Sequence, residues 1–497
     1  MTIFKADPFS RTPDAPLYQQ LYAHLRAAIL SGELKHGLKL PSTRALADEL
    51  NVSRNTVLNA YEQLIAEGYL ETVEGGGTFV AQELPDLLLT TPAAKVARDA
   101  TPRASSLFFF SEQAKLQLAE AQRAAVLPAS SGGRPRPFRA DTPALDAFPY
   151  ELWSRLIARQ SRRMPASAFT YQDAAGYRPL REAIASHVTV SRRVHCTAEQ
   201  IIIVSGSQGA LDLAARVLIN RGDTVWLEDP GYPGARGAFL GAGAQIVPVP
   251  VDRAGLVLEA GLIRAPQARL VYLTPSHQFP LGMTMSLARR LALLEWASQT
   301  GAYLLEDDYD SEYRFAGRPL AALQGLDEAG RVIYIGTFSK VLFPALRLGY
   351  LILPPPLVEA FLTVRRLIDI HPPLLEQAVL TDFITEGHFT RHLRRMRTLY
   401  AERRAALFEA AKNLPLEIDS PEAGIHCVGW LPDGMDEVAL VRQAAAHDLD
   451  LTPVSLFSLD PLPRRGLLLG YGGYSVPEIK VGVHRLAAAL HSSYHSS

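Results

Sequence analysis

A lysine stands among residue types that can bind a phosphorylated aldehyde. Lys340 follows Thr337 and Ser339, and Arg347 lies seven positions after the lysine. An amine can hold an aldehyde as a Schiff base, while hydroxyl and guanidinium groups can bind a phosphate attached to that aldehyde. The combination indicates pyridoxal 5′-phosphate (PLP). The alternative is a solvated lysine on a strand-to-loop turn, so the hypothesis depends on the rest of the chain.

Other polar residues follow apolar runs that are typical of buried strands. Ser207 and Gln208 come after one run and open a helix, where backbone N–H groups can hold a phosphate. Tyr232 can stack on an aromatic ring. Asp307 can keep a pyridine nitrogen protonated, which makes the ring an electron sink, and Tyr309 can hydrogen-bond the ring hydroxyl. Asp307 could instead be a surface acid and Tyr232 a core aromatic, but the order of these residues along the chain favours one cofactor site.

These residues need a scaffold that brings strand ends together. From about residue 137, short runs of Ile, Val, Leu and Tyr alternate with amphipathic helical segments. That alternation predicts a mostly parallel sheet with helices on both faces. Ligands of such sheets bind beyond the carboxyl ends of the strands. The sequence therefore predicts an α/β domain over residues 137–497 that gathers the candidate residues at one edge.

The beginning of the chain carries a different pattern. Leu17, Leu21, Leu25 and Ile29 form a helical stripe that Gly32 ends. Two shorter helical segments follow, joined by a tight connection, and two β-like runs flank a cluster of glycines. We predict a winged helix-turn-helix over residues 13–80, made of a helix, a helix-turn-helix and a β-wing.

The second helix of a helix-turn-helix enters the major groove by its N-terminal end. Here that end carries an arginine and an asparagine, which can pair bidentately with guanine and adenine, and hydroxyls that can reach phosphates. The candidate DNA contacts at the two helix starts and the wing tip are Arg44, Ser53, Arg54, Asn55, Thr56 and Gly76. Residues 17–80 hold five basic and seven acidic residues, a net charge of −2 with histidine neutral. That charge favours the alternative, a three-helix interaction module whose hydroxyls only cap helices.

Bulk composition limits the class of protein. The net charge of −1 argues against coating nucleic acid by charge alone but allows a small DNA-reading module. Cys196 and Cys427 form neither a disulfide framework nor a metal-ligand pattern. The N-terminus lacks a stretch of signal-peptide type, and no run approaches the roughly 20 apolar residues of a membrane span. We expect a cytoplasmic protein that needs neither a metal nor a membrane.

A weakly periodic stretch over residues 81–136 separates the two patterned regions. Its ends are rich in Pro, Ala, Ser and Gly, and its middle, SEQAKLQLAEAQRAAVL, has the composition of a helix. We predict a linker with a helix inside it. A tether of this length allows a DNA-binding module to lie far from the next domain or to cross to a partner subunit.

Two resemblances rest on these motifs. LPSTRALADELNVSRNTVLNAY followed by EGYLETVEGGGTFV resembles the winged helix-turn-helix of GntR-type transcription regulators. VSGSQGALDL, LEDPGYPGAR, LTPSHQFPLG, EDDYDSEYRF and GTFSKVLFPALRLGY resemble the aspartate-aminotransferase fold, PLP fold type I. The whole chain thus resembles the MocR subfamily of regulators, which includes GabR and PdxR types. This resemblance implies PLP as cofactor, double-stranded operator DNA as partner, and a head-to-tail, domain-exchanged homodimer.

The resemblance also implies roles for single residues. Lys340 is expected to carry PLP as an internal aldimine, with Asp307 at the ring nitrogen and Tyr309 at the ring oxygen. Tyr171, in YQDAAG, is expected to reach the phosphate in the neighbouring subunit. His277 lies in a strand-end loop beside the expected cofactor site, where a polar loop residue is the alternative.

Two functions stay open on this evidence. The first is a transcription regulator with little or no turnover, which binds operator DNA and senses PLP, a small amine or an amino acid through Lys340. The second is an active aminotransferase with a regulatory DNA-binding extension, because Lys340 and Asp307 form the minimal set for that reaction.

The absence of carboxylate-binding arginines favours the regulator over the active aminotransferase. Amino-acid aminotransferases, and the amino-acid-sensing regulators that resemble them, hold the carboxylate with an arginine. The family pattern puts that arginine close to Ser455–Ser458, where none occurs. Gly234 also stands where an amino-acid-sensing relative has an arginine. Arg464 and Arg465 come later in a Pro-rich turn and are expected to be solvated. We therefore expect PLP itself, or a ligand that is gripped differently, to be the effector.

Overall fold

A computed structural model describes residues 15–73, 75–85, 110–124, 136–140, 142–315, 321–419 and 421–494 of the chain. The chain divides into two compact units, Met1–Phe109 and Phe110–Ser497. Each unit has a hydrophobic core of its own.

The described part of the first unit is a winged helix-turn-helix, as the sequence predicts. Its helices and antiparallel strands are α1 (Leu17–Leu30), α2 (Thr43–Leu50), α3 (Arg54–Ala66), β1 (Leu70–Val73) and β2 (Gly77–Val80). Ser42 and Ser53 cap α2 and α3, because their hydroxyls accept hydrogen bonds from the backbone N–H of Ala45 (3.2 Å) and Thr56 (3.1 Å). Asn51 ends α2 with a left-handed φ of 55°, a conformation that asparagine tolerates.

The predicted stripe of α1 is buried except at its first residue. Leu21, Leu25 and Ile29 are at most 2% exposed, whereas Leu17 is 48% exposed. The first turn of α1 therefore lies outside the core that this helix shares with α3.

The second unit is built on a mostly parallel sheet, as the sequence predicts. Its strands are β3 (Ile201–Val204), β4 (Thr224–Asp229), β5 (Gln245–Asp252), β6 (Gly255–Leu256), β7 (Leu270–Leu273), β8 (Tyr303–Asp308), β9 (Val332–Thr337) and β10 (Gly349–Ile352). They lie in the order β3-β10-β9-β8-β7-β4-β5-β6. Strands β5, β4, β7, β8 and β9 pair in parallel, while β10 is antiparallel to both of its neighbours.

Helices cover both faces of this sheet, which explains the continuous apolar runs of its strands. Successive residues of a strand point to opposite faces. In β7, accordingly, Leu270 and Tyr272 pack in one apolar cluster and Val271 and Leu273 in another. The helices of the second unit are α4 (Glu112–Ala124), α5 (Tyr150–Arg163), α6 (Arg178–Arg192), α7 (Gly206–Leu218), α8 (Pro233–Gly241), α9 (Leu258–Arg264), α10 (Leu287–Thr300), α11 (Val358–Ile368), α12 (Leu374–Thr385), α13 (His388–Ala411), α14 (Glu437–Ala446) and α15 (Val476–Tyr494).

A smaller antiparallel sheet forms in the C-terminal part of the second unit. Its strands, in the order β11-β12-β14-β13, are β11 (Glu417–Ile418), β12 (His426–Trp430), β13 (Thr452–Pro453) and β14 (Gly466–Gly470). Across the residues that the structure describes, each helix is too short or too polar to cross a membrane.

The helix predicted inside the linker is α4, and it packs on the second unit instead of standing free. Glu120 of α4 forms an ion pair with Arg236 of α8, and both side chains are less than 10% exposed. The amide of Gln117 donates to the carbonyl of Gly237 (3.1 Å). These contacts make α4 part of the second unit, although it lies before residue 137.

Candidate functional site

A cavity of about 180 Å³ lies at the carboxyl edge of the large sheet. Among its lining residues are nine candidates that the sequence predicts for the cofactor: Ser207, Gln208, Tyr232, Asp307, Tyr309, Thr337, Ser339, Lys340 and Arg347. They come from the ends of β3, β4, β8 and β9 and from the loop before β10. The common direction of the parallel strands brings these distant segments to one edge.

Asp307 forms the buried acidic end of the cavity. It is 3% exposed, and its Oδ2 accepts a hydrogen bond from the hydroxyl of Tyr272 at 2.9 Å. Its Oδ1 is buried and has no hydrogen-bond partner among the described residues. Burial raises the pKa of this carboxyl to about 7. A buried carboxyl oxygen without a donor fits the protonated nitrogen of a pyridine ring.

Arg347 and the start of α7 form a cationic end. Arg347 has a left-handed φ of 52°, and its guanidinium donates to the carbonyl of Ser205 at 2.7 Å. Gly206 has a φ of +73°, and a Cβ on it would lie 3.1 Å from the Arg347 guanidinium. The guanidinium therefore lies directly against the first turn of α7, where backbone N–H groups are exposed to a ligand. This arrangement fits a phosphate.

Two hydroxyl residues lie next to Lys340 on the same side. Thr337 Oγ1 accepts a hydrogen bond from the backbone N–H of Ser339 at 3.2 Å. The hydroxyl of Ser339 is buried without a hydrogen-bond partner in the described part of the chain. An unpaired buried hydroxyl costs roughly 1–3 kcal/mol, and a ligand oxygen would offset that cost.

Tyr232 precedes α8 and forms a side wall. Its ring meets that of Phe279 edge to face, with centroids 5.8 Å apart. Gln208 donates to the carbonyl of Gly234 at 3.0 Å, and a Cβ on Gly234 would lie 2.5 Å from the ring of Tyr232. Glycine at 234 thus lets Gln208 and Tyr232 pack together, which a larger residue would prevent.

Three further residues line the cavity that sequence reasoning missed: Tyr272, Phe279 and Pro344. Tyr272 lies opposite Leu305 in the parallel pair of β7 and β8, so it faces the same side as Asp307. The alternation of side chains along the strand RLVYL could have indicated which face Tyr272 lies on. The register between β7 and β8 could not be read from the sequence.

His277 and Tyr171 are not among the residues that line the cavity. His277 lies behind Tyr309, with Nδ1 2.9 Å from the tyrosine hydroxyl, so it adjoins the cavity wall and its part in cofactor binding stays a prediction. Tyr171 is 81% exposed and meets the ring of His371 edge to face at 6.1 Å. Its expected contact with a neighbouring subunit stays a prediction.

The place expected for a carboxylate-binding arginine is apolar. Phe457 is buried there against Phe279, with ring centroids 5.1 Å apart. The nearby carbonyl of Ser458 accepts a hydrogen bond from Arg123, which reaches it from α4 at 3.1 Å. Among the described residues that line the cavity, the cationic side chains are those of Lys340 and Arg347.

The two later arginines are exposed but ion-paired. Arg464 lies 2.5 Å from Glu417, and its guanidinium covers the ring of Trp430 at 5.2 Å. Arg465 pairs with the buried carboxyl of Glu437 at 3.2 Å. The expectation that both are merely solvated is therefore incomplete.

In the first unit, Arg44, Arg54 and Asn55 are exposed at the starts of α2 and α3. The hydroxyls of Ser53 and Thr56 lie 2.9 Å apart, so both take part in the cap of α3. Cap and DNA contact are compatible, because a hydroxyl can accept and donate at once.

Gly76 lies in the turn between β1 and β2, beside a cation that sequence reasoning missed. Lys39 pairs with Phe79 of β2 in an isolated antiparallel bridge. Its amine lies 5.8 Å from the Phe79 ring centroid, and its Cε would lie 3.0 Å from a Cβ on Gly77. The wing therefore carries an exposed positive charge next to its glycine turn.

The fold and the cavity define a class: a winged helix-turn-helix joined to an aminotransferase domain. The family model "Aminotransferase class I and II" matches residues 149–461, and "Bacterial regulatory proteins, gntR family" matches residues 17–80. The chain is 42% identical over 483 residues to the probable rhizopine catabolism regulatory protein MocR of Rhizobium meliloti, covering 97% of this chain and 95% of that protein.

Other relatives match nearly the whole chain or its second unit. The pyridoxine biosynthesis transcriptional regulator PdxR of Corynebacterium glutamicum is 32% identical, with 94% of this chain and 95% of that protein covered. The solved structure of the alpha-aminoadipate aminotransferase LysN of Thermus thermophilus is 30% identical with a TM-score of 0.68, covering 76% of this chain and 100% of that chain. The chain belongs to the MocR-type family of GntR transcription regulators, which read DNA and carry an aminotransferase-like domain.

Proposed function

We propose that this regulator binds PLP through Lys340 and changes its operator binding in response to PLP or a small amine or amino acid. The main support is the unpaired Oδ1 of Asp307, in the same cavity as the Lys340 amine and the Arg347 guanidinium. A buried acid, an amine and a phosphate-binding cation in one cavity match the three chemical parts of PLP. Bound PLP would supply an aldehyde carbon that amines attack and a ring that withdraws electrons.

The residues of this chain would hold each part of the cofactor. Asp307 would accept the ring N–H, and Tyr272 would orient that carboxyl from the neighbouring strand. Arg347, the start of α7 and the Ser339 hydroxyl would bind the phosphate. Tyr232 would cover the ring as a side wall. These contacts use polar atoms that already face the cavity, so binding requires little rearrangement.

The effector is expected to need no second cation in this cavity. Arg347 would be committed to the phosphate, and Phe457 packs on Phe279 where the family pattern puts the arginine that binds an amino acid's carboxylate. PLP itself, or an amine without a carboxylate, therefore fits better than an amino acid. The name of PdxR connects that relative with pyridoxine biosynthesis, in line with a PLP-type signal.

Operator DNA would be read by the start of α3. Arg54 and Asn55 would contact base edges, with Arg44 at the backbone or a base. Ser53 and Thr56 would add phosphate contacts, and Gly76 and Lys39 would bring the wing to the minor groove. The exposed cations of this surface offset the unfavourable net charge of the unit. A protein that reads operators would work in the cytoplasm, where chromosomal DNA is reached.

The regulator would act as a homodimer, in which the DNA module of one subunit can lie near the other's second unit. Phe169 and Tyr171, two positions apart in the sequence, are 79% and 81% exposed, which is unusual for aromatic side chains of a lone subunit. An apolar groove that includes Phe343 and Pro372 borders Arg347 directly. A partner's Tyr171 in that groove would reach the phosphate.

A DNA-binding titration tests the proposal. A labelled duplex from upstream of the protein's own gene would be titrated without PLP, with PLP, and with a panel of primary amines. We expect salt-sensitive binding with a preference of about 1000-fold or more over random duplex, altered by PLP. Equal affinity for random duplex would contradict operator reading, and an affinity indifferent to PLP and every amine would contradict sensing.

The second candidate is an active aminotransferase, because Lys340 and Asp307 lie in one cavity. That function requires repeated turnover with an amino donor and a 2-oxo acid. A single stoichiometric half-reaction, followed by no further product, would count against the enzyme and leave the regulator.

A further inference from the structure

His277 lies behind the cavity wall, where it contacts the hydroxyl of Tyr309, and Asp310 contacts His277 in turn. His277 Nδ1 is 2.9 Å from the Tyr309 oxygen and 2.9 Å from Asp310 Oδ2. We propose that these two residues are a positioning pair, which makes Tyr309 a hydrogen-bond donor toward the cavity. The inference rests on the proposed binding of PLP, since the ring oxygen of PLP is the acceptor that Tyr309 would serve.

Both members of the pair are isolated from solvent. The side chains of His277 and Asp310 are each 1% exposed. Glycines pack against them: a Cβ on Gly424 would lie 2.3 Å from His277 Cε1 and 2.8 Å from Asp310 Oδ2. A Cβ on Gly282 would lie 3.2 Å from His277 Nε2. This close packing holds the imidazole in one orientation.

The contacts of Nδ1 determine where its hydrogen lies. A carboxylate offers only lone pairs, and an unprotonated Nδ1 would bring its own lone pair 2.9 Å from Asp310 Oδ2. That arrangement is repulsive, so Nδ1 carries the hydrogen. The contact between Nδ1 and Asp310 Oδ2 does not have hydrogen-bond geometry, whereas the contact with Tyr309 does, so the Tyr309 oxygen is the better placed acceptor.

A tyrosine oxygen that accepts from Nδ1–H must direct its own hydrogen elsewhere. Tyr309 lines the cavity, so a ligand oxygen there can receive that hydrogen. His426 packs against His277 with ring centroids 5.3 Å apart and completes the polar layer behind the wall. Loss of the imidazole would allow the Tyr309 hydroxyl to turn away from the cavity.

Substitutions of His277 and Tyr309 in the full-length protein test the pairing. His277→Ala should weaken PLP affinity about tenfold, because one hydrogen bond to the cofactor loses its orientation. His277→Asn keeps an N–H donor at the Nδ1 position and should stay within about threefold of the wild type. His277→Gln moves the donor to the Nε2 position and should resemble His277→Ala. His195→Ala is the control, since His195 is exposed and does not line the cavity.

A double-mutant cycle separates positioning from simple packing. In a Tyr309→Phe background, His277→Ala should cause no further loss of PLP affinity, because the hydroxyl that it positions is gone. The absorption band of the PLP-loaded protein should also change at higher pH in Tyr309→Phe and His277→Ala. A weaker donor at the ring oxygen leaves the cofactor holding its proton more tightly.

The outcomes distinguish this inference from the proposed function. If the wild type does not bind PLP, the proposed function fails and the inference falls with it. If the wild type binds PLP but His277→Ala binds equally well, the inference alone is overturned. An equal loss in the wild-type and Tyr309→Phe backgrounds overturns it as well. Should His277→Ala not fold, equal affinities of the Asn and Gln variants would overturn it.

Discussion

Glu120 and Arg236 form a buried ion pair between α4 and α8, two helices that are far apart in the sequence. Two hydrogen bonds from α4 lie on either side of Glu120 in the sequence, from Gln117 to the carbonyl of Gly237 and from Arg123 to the carbonyl of Ser458. Since α8 begins directly after Tyr232, the linker helix is packed on an element of the cavity wall.

Removal of one partner of this pair should destabilise the second unit. Glu120→Ala leaves the Arg236 guanidinium buried without its counter-charge, which typically costs about 3 kcal/mol. Urea unfolding followed by circular dichroism would measure the loss. Glu112→Ala removes an exposed ion pair with Lys115 on the same helix and should change nothing measurable. Equal stability of the two variants would contradict the burial of Glu120 against Arg236.

Lys340→Ala should abolish covalent retention of PLP. We expect the near-visible absorption band of the PLP-loaded protein to disappear and PLP to be lost on gel filtration, because the amine that bonds the aldehyde is gone. Lys412→Ala, which removes an exposed lysine paired with Glu409, should retain the band. Persistence of the band in Lys340→Ala would show that another amine holds the cofactor.

Asp307→Asn should stabilise the protein without PLP in a pH-dependent way. The pKa of the carboxyl rises from 3.8 to about 7 on folding, because burial disfavours the charged form. The native state therefore binds the proton more tightly, and stability is lost as pH rises from about 4 to about 7. The difference in the free energy of unfolding between Asp307→Asn and the wild type should grow over that pH interval, to a plateau of at most about 4 kcal/mol.

Thermal unfolding at several pH values, with Asp433→Asn as an exposed control, would measure this difference. The same variant should bind PLP more weakly, because an amide is a poorer partner for a protonated ring nitrogen. A stability difference that does not depend on pH would contradict the raised pKa.

Arg54→Ala should weaken operator binding and leave random-duplex binding nearly unchanged. Loss of one bidentate base contact costs about 1–3 kcal/mol, or roughly 10- to 100-fold in affinity. Lys35→Ala removes an exposed charge that lies in neither helix of the motif and serves as control. Fluorescence anisotropy with the operator and the random duplex would measure both affinities. An equal loss of affinity for the two duplexes would identify Arg54 as a phosphate contact instead.

Local signals made much of this fold predictable. The caps at Ser42 and Ser53 depend on residues within one helical turn. Apolar runs such as VIYIGT predict strands that are buried on both faces. The order of polar residues at strand ends similarly predicted the nine cofactor candidates that line the cavity. These features are encoded by neighbours in sequence, so no knowledge of the packing is required.

Other relationships depend on how distant segments meet. The bond from Tyr272 to Asp307 requires the register of β7 against β8, which sequence periodicity does not contain. His277 was placed beside the cofactor from its loop, yet the packing of Gly424 and Asp310 puts it behind Tyr309.

By itself, the sequence determined the two kinds of domain and most of the residues that line the cavity, because residue type and local periodicity can be read along the chain. Only the tertiary structure decided that the linker helix is fixed to the second unit by Glu120 and Arg236, which are 116 positions apart. It also decided that Phe457 packs on Phe279 at the place where the family pattern puts a carboxylate-binding arginine. Both outcomes are set by side-chain packing between elements, and packing is a property of the folded chain.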